Sequence, residues 1–131
     1  MPRLPRLTWV ALVLAAGMVS AQQKPEVPQV DAGAGACWVD FSVTKGQQPV
    51  YDAKIHAQVR YGMVHKTDVE VGTNYEGKAR ISGLPEKVRK PPLTFDVRKG
   101  NAVTAVTHDP ATNCHARFDV ALPDVGLPPS N

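Results

Sequence analysis

The sequence predicts an all-β domain of seven short strands packed as an antiparallel sandwich. Apolar and polar residues alternate over several stretches, which is the period of a strand with one buried face. Glycine, asparagine and proline separate these stretches and mark turns. No segment of useful length carries a helical period. These three observations together favour a small two-layer β-domain.

The first twenty-one residues have the composition of a signal peptide. Arg3 and Arg6 form a basic start, residues 7–19 form an apolar run, and the small residues ending at Ala21 form a cleavage site. The apolar run is shorter than a typical membrane span. We therefore predict cleavage of residues 1–21, contact with a membrane only through this removed peptide, and a secreted or periplasmic protein.

Two further segments are predicted to flank the domain without regular structure. Residues 22–36 are rich in glutamine, proline, alanine and glycine and show no apolar period, which indicates a flexible leader. Residues 124–131 are predicted to be a disordered tail. The β-sandwich domain is expected to occupy residues 37–123.

Three strands are predicted in the first half of the domain. The first covers residues 37–44, with Cys37 on the inward face and Trp38 on the outward face. The second covers residues 53–61 and alternates most regularly, as expected for a sheet with one face in water. The third, residues 64–71, is more polar, which suits an edge position.

The fourth strand is predicted within residues 73–85, between two turns. Ala79 and Ile81 alternate there with basic residues and are expected to point inward. Gly77 and Gly83 stand on either side of the strand, where turns favour residues that tolerate positive φ.

Three more strands complete the prediction. The basic, proline-bearing loop at residues 86–92 cannot enter a central strand. Strands at residues 93–97 and 102–107 form a hairpin through the turn Lys99-Gly100-Asn101. Both faces of the strand at residues 102–107 consist of apolar residues or threonine, so the pattern does not decide which face points inward. The last strand covers residues 114–122.

The two cysteines, Cys37 and Cys114, are predicted to form a disulfide. Export places them in an oxidising compartment, and both share the inward parity of their strands. The bridge would join the first and last strands. The residues before Cys37 also look like a lipoprotein acylation box, but the apolar run ends far upstream, so lipidation of Cys37 is the weaker alternative.

The charge of the chain excludes one class of partner. Two of its three net positive charges belong to Arg3 and Arg6, so the remainder is close to neutral. Its 12 acidic residues are spread among the basic ones. We therefore expect no nucleic-acid binding.

Two motifs resemble the carboxypeptidase regulatory-like domain and its transthyretin-like relatives. Gly-Gln-Gln-Pro-Val at residues 46–50, followed by Ala-Lys-Ile at 53–55, is similar to the family pattern G-x-P-V-x-x-A-x-V. Thr-Asn-Tyr-Glu-Gly-Lys-Ala-Arg-Ile-Ser-Gly-Leu-Pro at residues 73–85 is similar to T-D-x-x-G-x-F-x-F-x-x-L-P. Here Ala79 replaces the usual aromatic residue, and the Cys37 and Cys114 pair is not a general family feature.

The resemblance implies a seven-stranded antiparallel Greek-key β-sandwich of the prealbumin type. Such a domain accompanies catalysis or anchoring elsewhere and is not itself an enzyme. The related hydroxyisourate hydrolases carry a C-terminal Tyr-Arg-Gly-Ser signature, whereas this chain ends in Leu-Pro-Pro-Ser-Asn. The four histidines are too scattered to gather three metal ligands. We therefore expect no catalytic residues, no metal and no cofactor.

Five residues are candidates for a binding surface. Trp38 and Tyr75 are aromatic residues on outward or loop positions, where they can bind a partner protein or stack on a sugar. A loop or the leader covering Trp38 is the alternative. Lys87, Arg89 and Lys90 form a basic patch for anionic glycans or phospholipid headgroups, or simply a solvated loop.

The expected function is that of an exported, non-catalytic binding or accessory module. Its partner would be an unidentified exported protein or cell-surface component. A carbohydrate-binding module that uses exposed aromatic residues is the alternative.

Overall fold

The computed structural model describes residues 26–124. The predicted signal peptide and nearly all of the predicted tail lie outside these residues. Within them there is no helix, and hence none long and apolar enough to cross a membrane.

Nine strands form two sheets. They are β1 (Gln29–Asp31), β2 (Cys37–Lys45), β3 (Gln48–Pro49), β4 (Lys54–Tyr61), β5 (His65–Gly72), β6 (Lys78–Leu84), β7 (Leu93–Lys99), β8 (Ala102–His108) and β9 (His115–Ala121). Sheet A has the order β1, β6, β2, β9, with β3 paired to the end of β2. Sheet B has the order β5, β4, β7, β8, so β5 lies at an edge as predicted.

The prediction of seven strands is corrected to nine, because β1 and β3 were not expected. The other seven lie where the sequence pattern placed them. The two additional strands have three and two residues, which is too short to show an alternating period. The prediction of a wholly antiparallel arrangement is also wrong, since β1 runs parallel to β6 and β2 runs parallel to β9.

The parallel pairings follow from long connections. Parallel neighbours need a crossover of a dozen or more residues. The chain between β2 and β9 contains six strands, which supplies that length. Within sheet B every pairing is antiparallel and joins strands that are close or moderately close in sequence.

Residues 29–34 attach the predicted leader to sheet A. The backbone N–H of Ala32 donates to the carbonyl of Ser82 at 2.8 Å, and that of Ala34 donates to the carbonyl of Gly83 at 2.7 Å. Gly83 has a φ of +69°, and a Cβ there would overlap the carboxylate of Asp31. This part of the leader is therefore ordered β-structure, in contrast to the flexible segment that its composition predicted.

The buried faces of the two sheets meet in one hydrophobic core. Phe41 of sheet A packs edge-on against Phe95 of sheet B, with ring centroids 5.1 Å apart. Ala79 and Ile81 are buried, as predicted. The open question of β8 is also resolved, because its partly buried Val106 packs against the core while Val103 is exposed.

The predicted disulfide between Cys37 and Cys114 is confirmed, with the two Cα atoms 4.7 Å apart. The residues that follow them, Trp38 and His115, are paired in register between β2 and β9. Disulfides persist in oxidising compartments, so the bridge agrees with the prediction that the protein is in such a compartment. Because the sulfur of Cys37 is in the bridge, it has no thiol left for acylation.

Candidate binding surfaces

Tyr51 and Tyr75 form a stacked aromatic pair at the end of the domain where β4 and β6 begin. Their ring centroids are 4.1 Å apart and their planes differ by 9°. Tyr75 is 75% exposed and Tyr51 is 49% exposed. A side-chain hydrogen bond with Tyr75 raises the pKa of Tyr51. We call this pair the tyrosine platform. Tyr75 was a predicted candidate, whereas Tyr51 was missed because only the fold brings the two loops together.

Buried Thr73 joins the two loops that carry the tyrosine platform. Its hydroxyl donates to the carbonyl of Val50 at 2.6 Å and accepts from the backbone N–H of Ala53 at 2.9 Å. The backbone N–H of Asp52 also donates to the carbonyl of Thr73 at 2.8 Å. The threonine of the second sequence motif thus holds the first motif in place.

Asn74, next to Tyr75, is buried and shapes the turn from within. Its Oδ1 accepts from the backbone N–H groups of Glu76 at 2.9 Å and Lys78 at 3.0 Å. Its Nδ2 donates to the carbonyl of Glu26 at 2.9 Å. The polar atoms of Asn74 are therefore used within the chain, and Tyr75 and Glu76 are the exposed residues of this turn.

Thr73→Val is expected to lower the free energy of unfolding by about 1–3 kcal/mol. The substitution keeps the side-chain shape but leaves the backbone groups of Val50 and Ala53 without this partner. Urea denaturation followed by circular dichroism measures the change.

Thr112→Val is the matched control for this prediction. Its hydroxyl donates to the carbonyl of Asp109 at 2.8 Å in an exposed turn, where water can replace it. We expect a change of no more than about 0.5 kcal/mol. Equal losses for the two variants would contradict the structural role of Thr73.

Trp38 lies on the outer face of sheet A, as predicted, but it is only partly exposed. The ring of His115 stacks on it with centroids 4.6 Å apart and planes 13° apart. The guanidinium of Arg80 lies 4.1 Å from the centre of the Trp38 ring. These neighbours come from β9 and β6, which flank β2 on opposite sides. Strand side chains therefore cover Trp38, and no wide aromatic face is left for a sugar.

A charged groove of about 310 Å³ lies beside Trp38 on the same face. Asp40 accepts two hydrogen bonds from Arg80, at 2.6 and 3.0 Å. This hydrogen bonding raises the pKa of Arg80. The register places Arg117 opposite Asp40 and Asp119 one row away. Opposite charges thus alternate across the groove, an arrangement the sequence pattern did not reveal because it depends on which strands are neighbours.

The predicted basic patch is divided in the structure. Arg89 and Lys90 line a cavity of about 230 Å³ on the outer face of sheet B, together with Arg60. Lys87 instead lines a separate cavity beside the loop that follows β8. The three residues therefore do not act as one surface, and Arg60 is a basic neighbour that sequence reasoning missed.

The histidines are spread over four strands of both sheets. His56 is on β4, His65 starts β5, His108 ends β8 and His115 starts β9. Among residues 26–124, no group of three or more histidine, cysteine, aspartate or glutamate residues is placed to hold a metal ion.

Comparisons with known proteins leave the family of this chain open. No protein-family model matches the sequence, and no curated protein matches it significantly. The resemblance to the carboxypeptidase regulatory-like domain therefore rests on its two motifs, and the functions it implies are proposals.

Proposed function

We propose that this protein is an exported, non-catalytic β-sandwich that binds a partner protein through the tyrosine platform. The observation that carries the proposal is the pair of stacked rings that remains in water at the end of a well-packed domain. Tyrosine contributes a large, rigid contact area at a low cost in conformational entropy, and it is enriched at interface hot spots. Hydrogen bonds of buried Thr73 and Asn74 fix the loops that carry the two rings before any partner binds. This lowers the conformational entropy that is lost on binding.

Other features support the exported and accessory parts of this proposal. The disulfide suits a secreted or periplasmic protein. The positions of the seven longer strands support a prealbumin-like Greek-key sandwich, to which β1 and β3 are additions. In that family the domain serves a neighbouring activity, so the partner is expected to be another exported protein or a cell-surface component.

A carbohydrate-binding module is the second candidate, and the exposure of Tyr75 favours it. A sugar ring can stack on a flat aromatic face that is open to water. Trp38 does not contribute, because His115 and Arg80 cover it. A glycan site would therefore depend on Tyr75 and Tyr51 alone.

Tyr75→Ala is expected to weaken binding of the partner by about thirty-fold, the size of a hot-spot loss. Wild-type protein, Tyr75→Ala and the control Val103→Ala are immobilised and exposed to the exported fraction of the source cells. Val103 is 47% exposed on β8, an edge strand of sheet B that is separated from β4 by β7. A protein retained by wild type and Val103→Ala but not by Tyr75→Ala is then purified for affinity measurement.

The same variants separate the two candidates in polysaccharide affinity gels. Retardation that disappears with Tyr75→Ala would support the glycan candidate instead. Equal retention of every partner by wild type and Tyr75→Ala would contradict the role of the platform. Hydrolytic turnover by the pure domain would contradict the non-catalytic part of the proposal.

A further inference from the structure

The hairpin between β4 and β5 ends in two exposed apolar side chains. Met63 is 87% exposed and Val64 is 79% exposed, more than any other large apolar residue of the described chain. Gly62, with a φ of +62°, provides the turn, so neither side chain is needed to shape it. Neither packs against the hydrophobic core. Loop tips usually carry polar residues, so this apolar tip calls for a function.

The hairpin tip, residues 62–64, is carried by residues that contact the rest of the domain. Tyr61 packs against the core and stacks with His65, with ring centroids 5.1 Å apart. Arg89 donates from its backbone N–H to the carbonyl of Arg60 at 2.8 Å and from Nη2 to the carbonyl of His65 at 3.0 Å. The loop at residues 86–92 therefore buttresses the hairpin and leaves residues 62–64 projecting.

Four cations surround the base of the hairpin tip. Arg60 and Lys66 are exposed and paired in register just behind it. Arg89 and Lys90 are exposed in the buttressing loop, and they share a cavity with Arg60. None of the four is in an ion pair with a carboxylate of residues 26–124, where the ion pairs involve Lys54, His56 and Arg80.

Two acidic residues of sheet B lie near these four cations, and one of them, Asp96, lines the cavity that three of the cations share. Asp68 lies two residues beyond Lys66 on β5, and its Oδ1 is 3.8 Å from Nε2 of His56. The four cations outnumber these two carboxylates, and neither carboxylate forms an ion pair with any of the four.

We propose that this hairpin tip is a membrane anchor that binds an anionic lipid surface. Met63 and Val64 enter the boundary between headgroups and acyl chains, while Arg60, Lys66, Arg89 and Lys90 contact the lipid phosphates. Exposed cations alone would also fit a soluble anion, and exposed apolar residues alone would also fit a protein. Exposed apolar residues at a tip that is surrounded by cations provide the combination that peripheral membrane binding requires. The sequence alone led us to expect membrane contact only through the signal peptide.

The hairpin tip and the tyrosine platform lie at opposite ends of the domain. β4 begins at Lys54, beside Tyr51, and ends at Tyr61, beside the tip. A strand of eight residues spans about 26 Å. A domain bound by its hairpin tip would therefore hold the tyrosine platform away from the lipid, and the two surfaces can be tested independently.

Sedimentation with lipid vesicles tests the anchor. The protein without its predicted signal peptide, but otherwise full length, is mixed with vesicles. These consist of phosphatidylcholine alone or of phosphatidylcholine with phosphatidylglycerol. We expect binding to the anionic vesicles that weakens as salt is raised. Lys66→Gln should weaken it about five-fold, and the double variant Met63→Ser, Val64→Ser about ten-fold or more.

Two variants at the other end of the domain are the controls. Lys99→Gln removes one exposed cation, and Tyr75→Ala removes one exposed aromatic ring. Both should bind anionic vesicles like wild type. Losses equal to those of the tip variants would show that binding is general to the surface and would overturn the proposal.

Insertion is tested separately with Met63→Trp and phosphatidylglycerol vesicles that contain brominated phosphatidylcholine. Because Trp38 is covered within sheet A, quenching reports the residue at the tip. Strong quenching is expected. Absence of quenching, or equal binding to neutral and anionic vesicles, would overturn the anchor. Loss of the anchor would leave partner binding through Tyr75 untouched, so the two proposals fail separately.

Discussion

Replacing Cys37 and Cys114 together by alanine is expected to lower the free energy of unfolding by about 4 kcal/mol. The bridge closes a loop with a sequence separation of 77, so its loss frees a large part of the unfolded chain. A domain of this size has a total stability of about 5–15 kcal/mol, so the loss is a large fraction of it. Urea denaturation of the oxidised wild type and of the double variant measures the difference.

The loss of stability caused by removing the disulfide should be concentrated at β9. This strand pairs with β2 alone among the described strands, and the bridge joins the first residue of β2 to the residue just before β9. Hydrogen exchange of residues 115–121 should therefore accelerate more than that of β4, which lies between two neighbours. A uniform change in both strands, or no loss of stability, would contradict a local role for the bridge.

Phe95→Ala is expected to cost about 3–5 kcal/mol, the second large effect. Phe95 is fully buried in sheet B and contacts Phe41 across the core. Removing the ring eliminates apolar contacts and leaves a cavity that neighbouring strands cannot close. The midpoint and slope of urea denaturation measure the loss.

Phe118→Ala is the matched comparison for Phe95. Phe118 stacks on the same Phe41, with centroids 6.1 Å apart, but it lies on the edge strand β9 and is only partly buried. We expect a loss of about 1–2 kcal/mol, because part of its surface already contacts water. Equal losses would mean that the β9 edge is packed as tightly as the centre of the core.

The two proposed surfaces differ in how much the sequence revealed. Tyr75 was recognisable as an aromatic residue in a turn, but its partner Tyr51 lies more than twenty residues earlier. Arg89 and Lys90 were recognisable as a basic loop, but their pairing with the hairpin tip depends on hydrogen bonds to Arg60 and His65. Trp38 was predicted to lie on an outward face, either open to water or covered by a loop or the leader, and side chains of two neighbouring strands cover it.

The sequence by itself determined the local features of this protein: the seven longer strands, their turns, and most inward faces. Alternation of apolar residues and turn chemistry act over a few residues, so they can be read along the chain. Only the tertiary structure decided which strands are neighbours, that β2 and β9 run parallel, and that part of the leader becomes β1. Strand pairing joins distant segments through backbone hydrogen bonds, which any residue except proline can donate and accept. The side chains of one strand therefore do not specify which strand will pair with it.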